Sequence, residues 1–541
     1  MADVGALLRS WGRTAGPRAV AGWTAIYLAV VVSGQRFDAR YLDYGWQLIP
    51  WDVLSRDPLA SVWYLHVQPP GWNLLLGGAA RLSPFSDALT IQALMFVVGV
   101  FGVALAARLA EHLGLGTRSA AIVAVVATAN PEVLKGAFEP NYELAVGTML
   151  LAVVLCVSRV LRSAEREVAA RRLVQLSVVA TVLVMTRSLY HPALLAVLFA
   201  LPLWAVRRFF DRRSLLRVVA VVVGIPLVVV GGWMVKNQIL FGSPTLSSWF
   251  GMNLQRAVIP VLDVEDLEAM HDSGAISEVA MVGPFGAYEL YEPFVEPCTP
   301  RHSFRGLSEP ARTTDETSPN FNFECYLPVF DQAGRDARAV ILEHPGVWLE
   351  GRLWSMRNTI AVSMNPATSD SLGMRALDDV YSVVRLDYRG VLSTTGWGTP
   401  IYGSMEAPTD FSITVALMYL ALGGLAVRAL LPRRWRRWRT PRDVVVATAG
   451  AIAAFTVVVG AVAELGEQSR FRTAVDPLAT VVVMSLMIPW IGNRLTRQLE
   501  RQLERQRERQ LERQLERQRE RQRERQRERQ RDQSQASAVG R

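Results

Sequence analysis

Long apolar runs with few or no charged residues recur along this chain, and arginine-rich stretches separate many of them. Most of the runs are longer than a core strand or a short core helix, which is typical of segments that cross a bilayer. The pattern predicts about ten spans, at residues 19–34, 88–110, 119–134, 142–160, 173–189, 192–206, 218–235, 411–431, 444–463 and 474–492. The chain is therefore predicted to be an all-α polytopic membrane protein.

The positions of the arginines fix the predicted topology, because loops rich in Arg and Lys stay cytoplasmic. With an internal N-terminus and ten spans, every basic cluster lies inside, including the most basic loop at 433–439. The run 19–33 also resembles a signal peptide, but no clear small-x-small cleavage site follows it, so an uncleaved first span is favoured. Both termini are then cytoplasmic. The near-complete use of Arg over Lys suggests a GC-rich genome, and a bacterial plasma membrane is the expected location.

This topology divides the chain into four parts. They are a seven-span module at 1–235 with its first outer loop at 35–87, an extracytoplasmic segment at 236–410, a three-span module at 411–492, and a charged tail at 493–541. Within the first outer loop, the run from Trp72 to Ala80 is too short to span, because a helix rises about 1.5 Å per residue. We predict a helix that lies in the outer leaflet there, flanked by interfacial aromatics.

The segment 236–410 is polar and rich in proline and glycine, and it is predicted to hold mixed short elements. One amphipathic helical pattern runs from Ala337 to Met356 and is broken at Pro345. The segment is either a small domain or a cover draped over the membrane core. Cys298 and Cys325 both fall in it, and the sequence leaves open whether they form a disulfide or remain free thiols.

The tail repeats the unit Arg-Gln-(Leu/Arg)-Glu from Arg497 to Glu528. From Arg494 onward it holds 16 arginines and 9 acids, so its +7 supplies most of the chain's formal charge of +9. That distribution gives no support for nucleic-acid binding by the membrane body. A period of four drifts against the helical turn, so its leucines do not hold one face and no coiled-coil seam is expected. The tail is predicted to be a solvated helix or disordered near anionic lipid.

Acidic residues near the predicted outer ends of spans are candidates for proton transfer. Asp38, with Asp43 as its competitor, is placed to take a proton from an acceptor hydroxyl as that hydroxyl attacks an anomeric carbon. Ordinary interfacial acids are the alternative. Glu139 and Glu143 are expected to orient the acceptor or to hold a divalent cation, Mg²⁺ or Mn²⁺. Their alternative is capping of the fourth span, since acids are favoured near a helix N-terminus.

Arginines on the outer face are candidates for binding a phosphate. Arg187, Arg470 and Arg472 lie on that side against the positive-inside tendency, and guanidinium groups neutralise a phosphate leaving group with paired donors. Anchoring of the span ends is the alternative. No Walker loop, dinucleotide glycine pattern, HExxH or GxSxG sequence is present.

Taken in order, these residues resemble the GT-C class of integral membrane glycosyltransferases, in the bacterial branch related to protein O-mannosyltransferases and aminoarabinose transferases. The similarity lies in the acid after span 1, the stretch Tyr64-Leu-His66-Val-Gln68-Pro-Pro, the Glu139/Tyr142 stretch, and Glu464…Arg470-Phe-Arg472…Asp476-Pro477. It covers roughly 20–490. The family often has two adjacent acids in the first loop, whereas Asp38 is followed by Ala39, and its usual His-Pro-Pro is interrupted here.

The resemblance implies a GT-C-like core, a polyprenyl-phosphate-linked sugar donor and an inverting transfer on the outer face. Carried over, the catalytic acid falls on Asp38, and His66, Gln68 and Glu464 are expected to line the cavity with the loop glutamates. The expected acceptor is a glycan, a lipid or a protein. The alternative from another class is a non-catalytic transporter of lipid-linked glycans or an envelope assembly protein, which would keep the cavity without needing a base.

Overall fold

The computed structural model describes residues 14–312, 318–361, 371–388, 411–430, 440–465 and 468–539. The chain divides into two compact units, Met1–Val483 and Met484–Arg541. In the described residues the elements are almost entirely helical. The exception is a two-residue antiparallel ladder of β1 (Asp387–Tyr388) with β2 (Phe411–Ser412).

The helices before the outer segment are, in chain order, α1 (Ala15–Val32), α2 (Tyr41–Tyr44), α3 (Trp51–Leu54), α4 (Pro58–Trp63), α5 (Gly71–Leu82), α6 (Asp87–His112), α7 (Thr117–Thr128), α8 (Pro131–Leu134), α9 (Glu143–Leu161), α10 (Arg166–Thr186), α11 (Ala193–Val206) and α12 (Arg212–Phe241). Those that follow are α13 (Phe250–Val258), α14 (Val264–Asp272), α15 (Glu278–Val282), α16 (Tyr288–Tyr291), α17 (Arg305–Ser308), α18 (Tyr326–Glu343), α19 (Pro345–Asn358), α20 (Leu372–Arg385), α21 (Ile413–Leu430), α22 (Pro441–Ala463) and α23 (Gln468–Val539). Short 3₁₀ turns cover Lys135–Ala137, Arg207–Phe209, Ile259–Val261 and Glu292–Phe294.

Seven of the described helices are long and apolar enough to cross a membrane: α1, α6, α9, α12, α21, α22 and the first part of α23. An eighth span is formed if α7 and the stretch Pro131–Ala137 count together, although a bend of 68° separates them. The two remaining predicted spans correspond to α10 and α11, of 21 and 14 residues, which are not among the seven. The prediction of an all-α polytopic membrane protein is confirmed.

The first outer loop and the outer segment share one hydrophobic core. Loop residues such as Leu65 and Val67 pack with an aromatic cluster that includes Trp249, Phe321 and Tyr326. Cys298 and Cys325, which the sequence left open, are bonded, with a Cα–Cα distance of 5.6 Å. The outer segment is therefore folded together with the first loop rather than built as a separate domain.

Two helical patterns in these outer parts were predicted from the sequence, and they correspond to three helices. The short apolar run after Pro70 is α5, and the amphipathic pattern is present as α18 and α19, with Pro345 opening α19 where the break was predicted. The first of the pair begins at Tyr326, earlier than the apolar pattern indicated. Its earlier part contains Pro328 and Gly334, the two residue types that weaken a helical pattern most.

The second unit continues α23 as one helix to Val539. Residues 490–530 are exposed. The helical alternative for the repeat tail is thus the one observed.

Candidate active site

The first outer loop reaches the second one at Asp38. The Asp38 main-chain N–H donates to the carbonyl of Phe138 at 2.8 Å, which fixes this acid beside the turn before α9. Its carboxylate accepts hydrogen bonds from the Arg40 guanidinium at 2.9 and 3.0 Å. These bonds hold the pKa of Asp38 below its usual value, so the carboxylate is ionised near neutral pH. About a quarter of the Asp38 side chain (24%) is exposed at the protein surface, so a ligand can reach it.

Glu139 lies in the same turn and faces Lys135, whose Nζ is 3.1 Å from Oε1. Burial raises the pKa of Glu139 against the opposing effect of Lys135, and the negative charges of Asp38 and Glu143 raise it further. Three acids from the two outer loops therefore act on one another electrostatically, as expected if they belong to one site.

Glu143, the first residue of α9, lies between two of the predicted arginines. Its Oε1 is 3.4 Å from Nη2 of Arg187 and 3.1 Å from Nε of Arg470. The Arg187 guanidinium also lies between the rings of Tyr142 and Phe471, at 4.6 and 4.7 Å from their centroids. The end of α10, the start of α9 and the start of α23 thus meet at one point.

The Glu143 carboxylate is buried but loosely held. Its side chain is 8% exposed, yet neither oxygen has a hydrogen-bond partner among the described residues despite the two ion pairs. Buried carboxylates are normally hydrogen-bonded, so an oxygen without such a bond marks a place where a ligand group or water belongs. Glu143 holds its arginines by charge rather than by well-directed bonds.

A small cleft of about 30 Å³, with room for about one water molecule, lies beside Glu143. Glu132 and Glu143 line it, and the rest of its wall is mainly apolar with several glycines, including Gly99, Gly102 and Gly147. A cleft of this size holds water rather than a sugar or a lipid chain.

Arg472 lies elsewhere, in a buried ion network. It donates to Asp476 at 2.7 Å and to Glu132 at 2.8 Å, and its side chain is 1% exposed. Glu132 also pairs with Arg385 at 3.0 Å, and Arg385 pairs in turn with Asp387 at 2.9 Å. Arg472 is therefore paired with two carboxylates, whereas Arg470 and Arg187 both face the carboxylate of Glu143.

Glu464 belongs to a third cluster, in which it pairs with Arg256 at 3.0 Å. Arg352 donates to the carbonyls of Ala461 and Val462 close by. These bonds join α13 and α19 to the end of α22. The structure places Glu464 in this anchoring cluster.

His66 is part of the core shared by the first loop and the outer segment. Its Nδ1 is 2.6 Å from Oγ of Ser248, its Nε2 is 3.1 Å from the carbonyl of Asn322, and its main-chain N–H donates to the Asn322 side chain. Burial lowers the pKa of His66 to about 3, so the ring is neutral. Its hydrogen bonds join the first outer loop to the outer segment, and both ring nitrogens already have a partner.

The other first-loop candidates occupy different positions. Gln68 is buried and lies 3.4 Å from Oγ of Ser188, next to Arg187, so it borders the arginine side of the site. Asp43 is exposed on α2, and its main-chain carbonyl accepts a hydrogen bond from Arg312 at 2.8 Å. The structure brings Gln68 toward the site, whereas Asp43 faces Arg312 of the outer segment.

The loop acids do not form a ready cation site. Asp38, Glu139 and Glu143 each already face a basic side chain, and the part of the chain that the structure describes contains no group of three or more His, Cys, Asp or Glu arranged for a metal ion. A Mg²⁺ or Mn²⁺ ion needs several oxygen ligands that are not already neutralised. These residues do not fit such an ion as they stand.

Three residues of these clusters were missed from the sequence: Lys135, Glu132 and Arg385. Lys135 carried a signal, since it is one of only two lysines in the chain. Glu132 and Arg385 are 253 positions apart, and no local pattern relates them.

No family model matches the chain, and no curated protein matches its sequence. Among solved structures, it is similar to ArnT from Cupriavidus metallidurans bound to undecaprenyl phosphate, with a TM-score of 0.32, 14% identity, and coverage of 82% of this chain and 76% of that one. It is also similar to the same protein in the apo state, with a TM-score of 0.28, 14% identity, and coverage of 86% and 78%.

Proposed function

We propose that this protein is a membrane glycosyltransferase that moves a sugar from a polyprenyl-phosphate donor to an acceptor on the extracytoplasmic face of a bacterial plasma membrane. The observation that carries the proposal is the meeting of Asp38, Glu139 and Glu143 with Arg187 and Arg470 at the ends of several spans. Ionisable groups at such a depth are costly unless they serve a function or are fully paired.

Arg470 and Arg187 are the proposed ligands of the donor phosphate. Both face Glu143, whose carboxylate occupies the position that an anion would take between two guanidinium groups. Arg470 lies in the first turn of α23, where the helix dipole also favours negative charge. A phosphate offers more acceptor oxygens than a carboxylate, so it is expected to displace Glu143 from the arginines.

Asp38 is the proposed general base. It takes the proton of an acceptor hydroxyl while the hydroxyl oxygen forms a bond to the anomeric carbon. The bond from that carbon to the phosphate oxygen breaks, and its electron pair leaves with the polyprenyl phosphate, which Arg470 and Arg187 neutralise. Attack from the face opposite the phosphate inverts the anomeric centre. Glu139, buried next to Asp38, is the competing base, because burial raises its pKa.

Transfer of label from polyprenyl-phosphate sugars in membranes that contain the protein tests this proposal and identifies the sugar and the acceptor. Asp38→Asn and Arg470→Ala are expected to reduce transfer by about 100-fold or more, the usual range for losing a base or a charge-stabilising group. Asp43→Asn, an exposed acid of the same loop, is the matched control and should retain activity.

Full transfer by Asp38→Asn and Glu139→Gln, with normal expression of both, would exclude a base among these acids. That result would favour a non-catalytic carrier of lipid-linked glycans, which keeps the cleft and the arginines but moves its cargo unchanged.

A further inference from the structure

Helix α20 exposes a stripe of apolar side chains that nothing in the described residues covers. Leu372 and Val383 are each 73% exposed, Val380 is 60% exposed and Val384 is 59% exposed. Water-exposed apolar stripes of this kind are rare on soluble surfaces and mark a site of contact with lipid or protein.

The helix has three faces rather than two. At about 100° per residue, the exposed apolar residues, which include Ala376, fall on one sector. The exposed polar residues Arg375 and Asp379 fall on the next sector. Met374 and Arg385, which are buried, fall on the third and adjoin the protein. A helix at a lipid–water boundary needs one side toward protein, one toward water and one toward hydrocarbon.

Both ends of α20 are fixed to the ends of membrane spans. At its start, the Gly373 N–H donates to Ser33 Oγ at 3.0 Å and Ser371 donates to Gln35 at 3.0 Å, directly after α1. At its end, Ser412 and Thr414 donate to the carbonyls of Arg385 and Val384, each at 3.1 Å, where α21 begins. The helix is therefore level with the outer ends of two spans, which is the depth of the outer membrane boundary.

The middle of the helix is held to a third span segment. The Tyr381 hydroxyl donates to the carbonyl of Val126 in α7 at 2.9 Å. Arg385 reaches Glu132, which lines the cleft, at 3.0 Å. The protein-facing side of α20 is thus polar and tightly bonded, whereas the apolar side points away from the bundle.

We infer that α20 is an interfacial helix whose stripe of Leu372, Ala376, Val380, Val383 and Val384 is immersed in the acyl chains of the outer leaflet. The occupant is bulk phospholipid and not a second protein. The inference concerns where the helix lies and does not depend on sugar transfer.

Spin labels on single cysteines test it in the full-length protein, reconstituted in vesicles of phosphatidylethanolamine and phosphatidylglycerol. Cys156, the free cysteine of the described part, is replaced by alanine, and the Cys298–Cys325 bond is left intact. Labels at Val380 and Val383 should collide several-fold more often with oxygen, which concentrates in lipid, than with a water-soluble nickel chelate. Labels at Asp379 and Arg375 should show the opposite preference.

Two results would overturn the inference. Equal access of the nickel chelate to Val383 and Asp379 would place the whole helix in water. Poor access of both reagents to Val380 and Val383 would mean that protein covers the stripe, either another part of this chain or a second copy. Unchanged thermal stability of each labelled variant shows that the label has not displaced the helix.

Discussion

At the scale of single residues, the candidate site depends on how each charge is paired. Glu143 and Glu464 are both buried acids about 3 Å from an arginine, and no sequence pattern distinguishes their roles. Their environments differ, because Glu143 lines the cleft while Glu464 joins helices of the outer segment to α22. This difference makes the two residues a matched pair for experiment.

Glu143→Gln should destabilise the protein in the absence of ligand, because it leaves the buried Arg187 without its counter-charge. Breaking a buried pair in this way costs about 3–5 kcal/mol. If Glu143 stands where the donor phosphate binds, added polyprenyl phosphate should restore much of the lost thermal stability. Glu464→Gln should be destabilised similarly but gain no more from the lipid than the wild type. Equal recovery of both variants, or of neither, would remove the phosphate from this position.

The pH dependence of transfer distinguishes the two candidate bases. A base must be ionised, so activity is lost as pH falls through its pKa in the folded protein. The Arg40 hydrogen bonds hold the pKa of Asp38 below its usual value of 3.8, which places the acid limb below that pH. Arg40→Ala should move the limb to higher pH, whereas Arg36→Ala, which removes an exposed neighbouring charge, should leave it in place.

Glu139 would be the base if wild-type transfer activity falls at a pH above the usual glutamate pKa of 4.5, and if this pH-dependent loss is absent in Glu139→Gln. In that case Asp38→Asn would change the position of the limb but not remove it, because the Asp38 charge raises the pKa of Glu139.

At the scale of elements, close helix contacts hold the arginines against α9. Gly147 in α9 lies against the start of α23, and a Cβ placed there would be 2.9 Å from the carbonyl of Ala474. Small residues let membrane helices approach closely in this way. The position of Arg470 relative to Glu143 therefore rests on a residue with no side chain.

Gly147→Ala is expected to lower the thermal stability and the transfer rate together, since overpacking costs about 1–3 kcal/mol and shifts α23. Gly224→Ala, in α12 where nothing lies within 4 Å of the added Cβ, is the control. It should be neutral or slightly stabilising, because alanine is favoured over glycine in a helix by about 1 kcal/mol. Melting curves and transfer assays on both variants in the same detergent decide the comparison; a stable, active Gly147→Ala variant would contradict it.

The sequence predicted helices correctly where a long apolar run is enough to define a membrane span. The predicted first, second and fourth spans are found as α1, α6 and α9 because uninterrupted apolar runs leave a helix no alternative in lipid. The third span is bent by 68° before Pro131, and hydropathy alone did not predict this bend. Helix α20 was not predicted, because its apolar stripe is short and interrupted by charges that only the fold explains.

At the scale of the whole molecule, the sequence located the acids and arginines on one face but not their partners. Sidedness follows from charge counts along the chain, and that was enough to bring Asp38, Glu139, Glu143, Arg187 and Arg470 into one region. Pairing depends on contacts between residues far apart in sequence, such as Arg472 with Glu132 and His66 with Asn322. Those contacts separate the ligand candidates from residues that hold the fold together.

The tail is the part of the molecule that this arrangement does not need. Every contact that builds the candidate site lies within residues 38–476, and residues 490–530 are exposed along their length. A chain ending at Asn493 should therefore transfer sugar in detergent at the same rate as the full chain. In vesicles, the sixteen arginines beyond that point are expected to bind anionic lipid, by up to about 1 kcal/mol for each basic residue near the surface.

Transfer by both chains, measured in detergent and then in vesicles with and without phosphatidylglycerol, separates the two effects. Loss of activity in detergent would show that the tail supports the site itself. A difference confined to anionic vesicles would show that the tail acts only through the membrane surface.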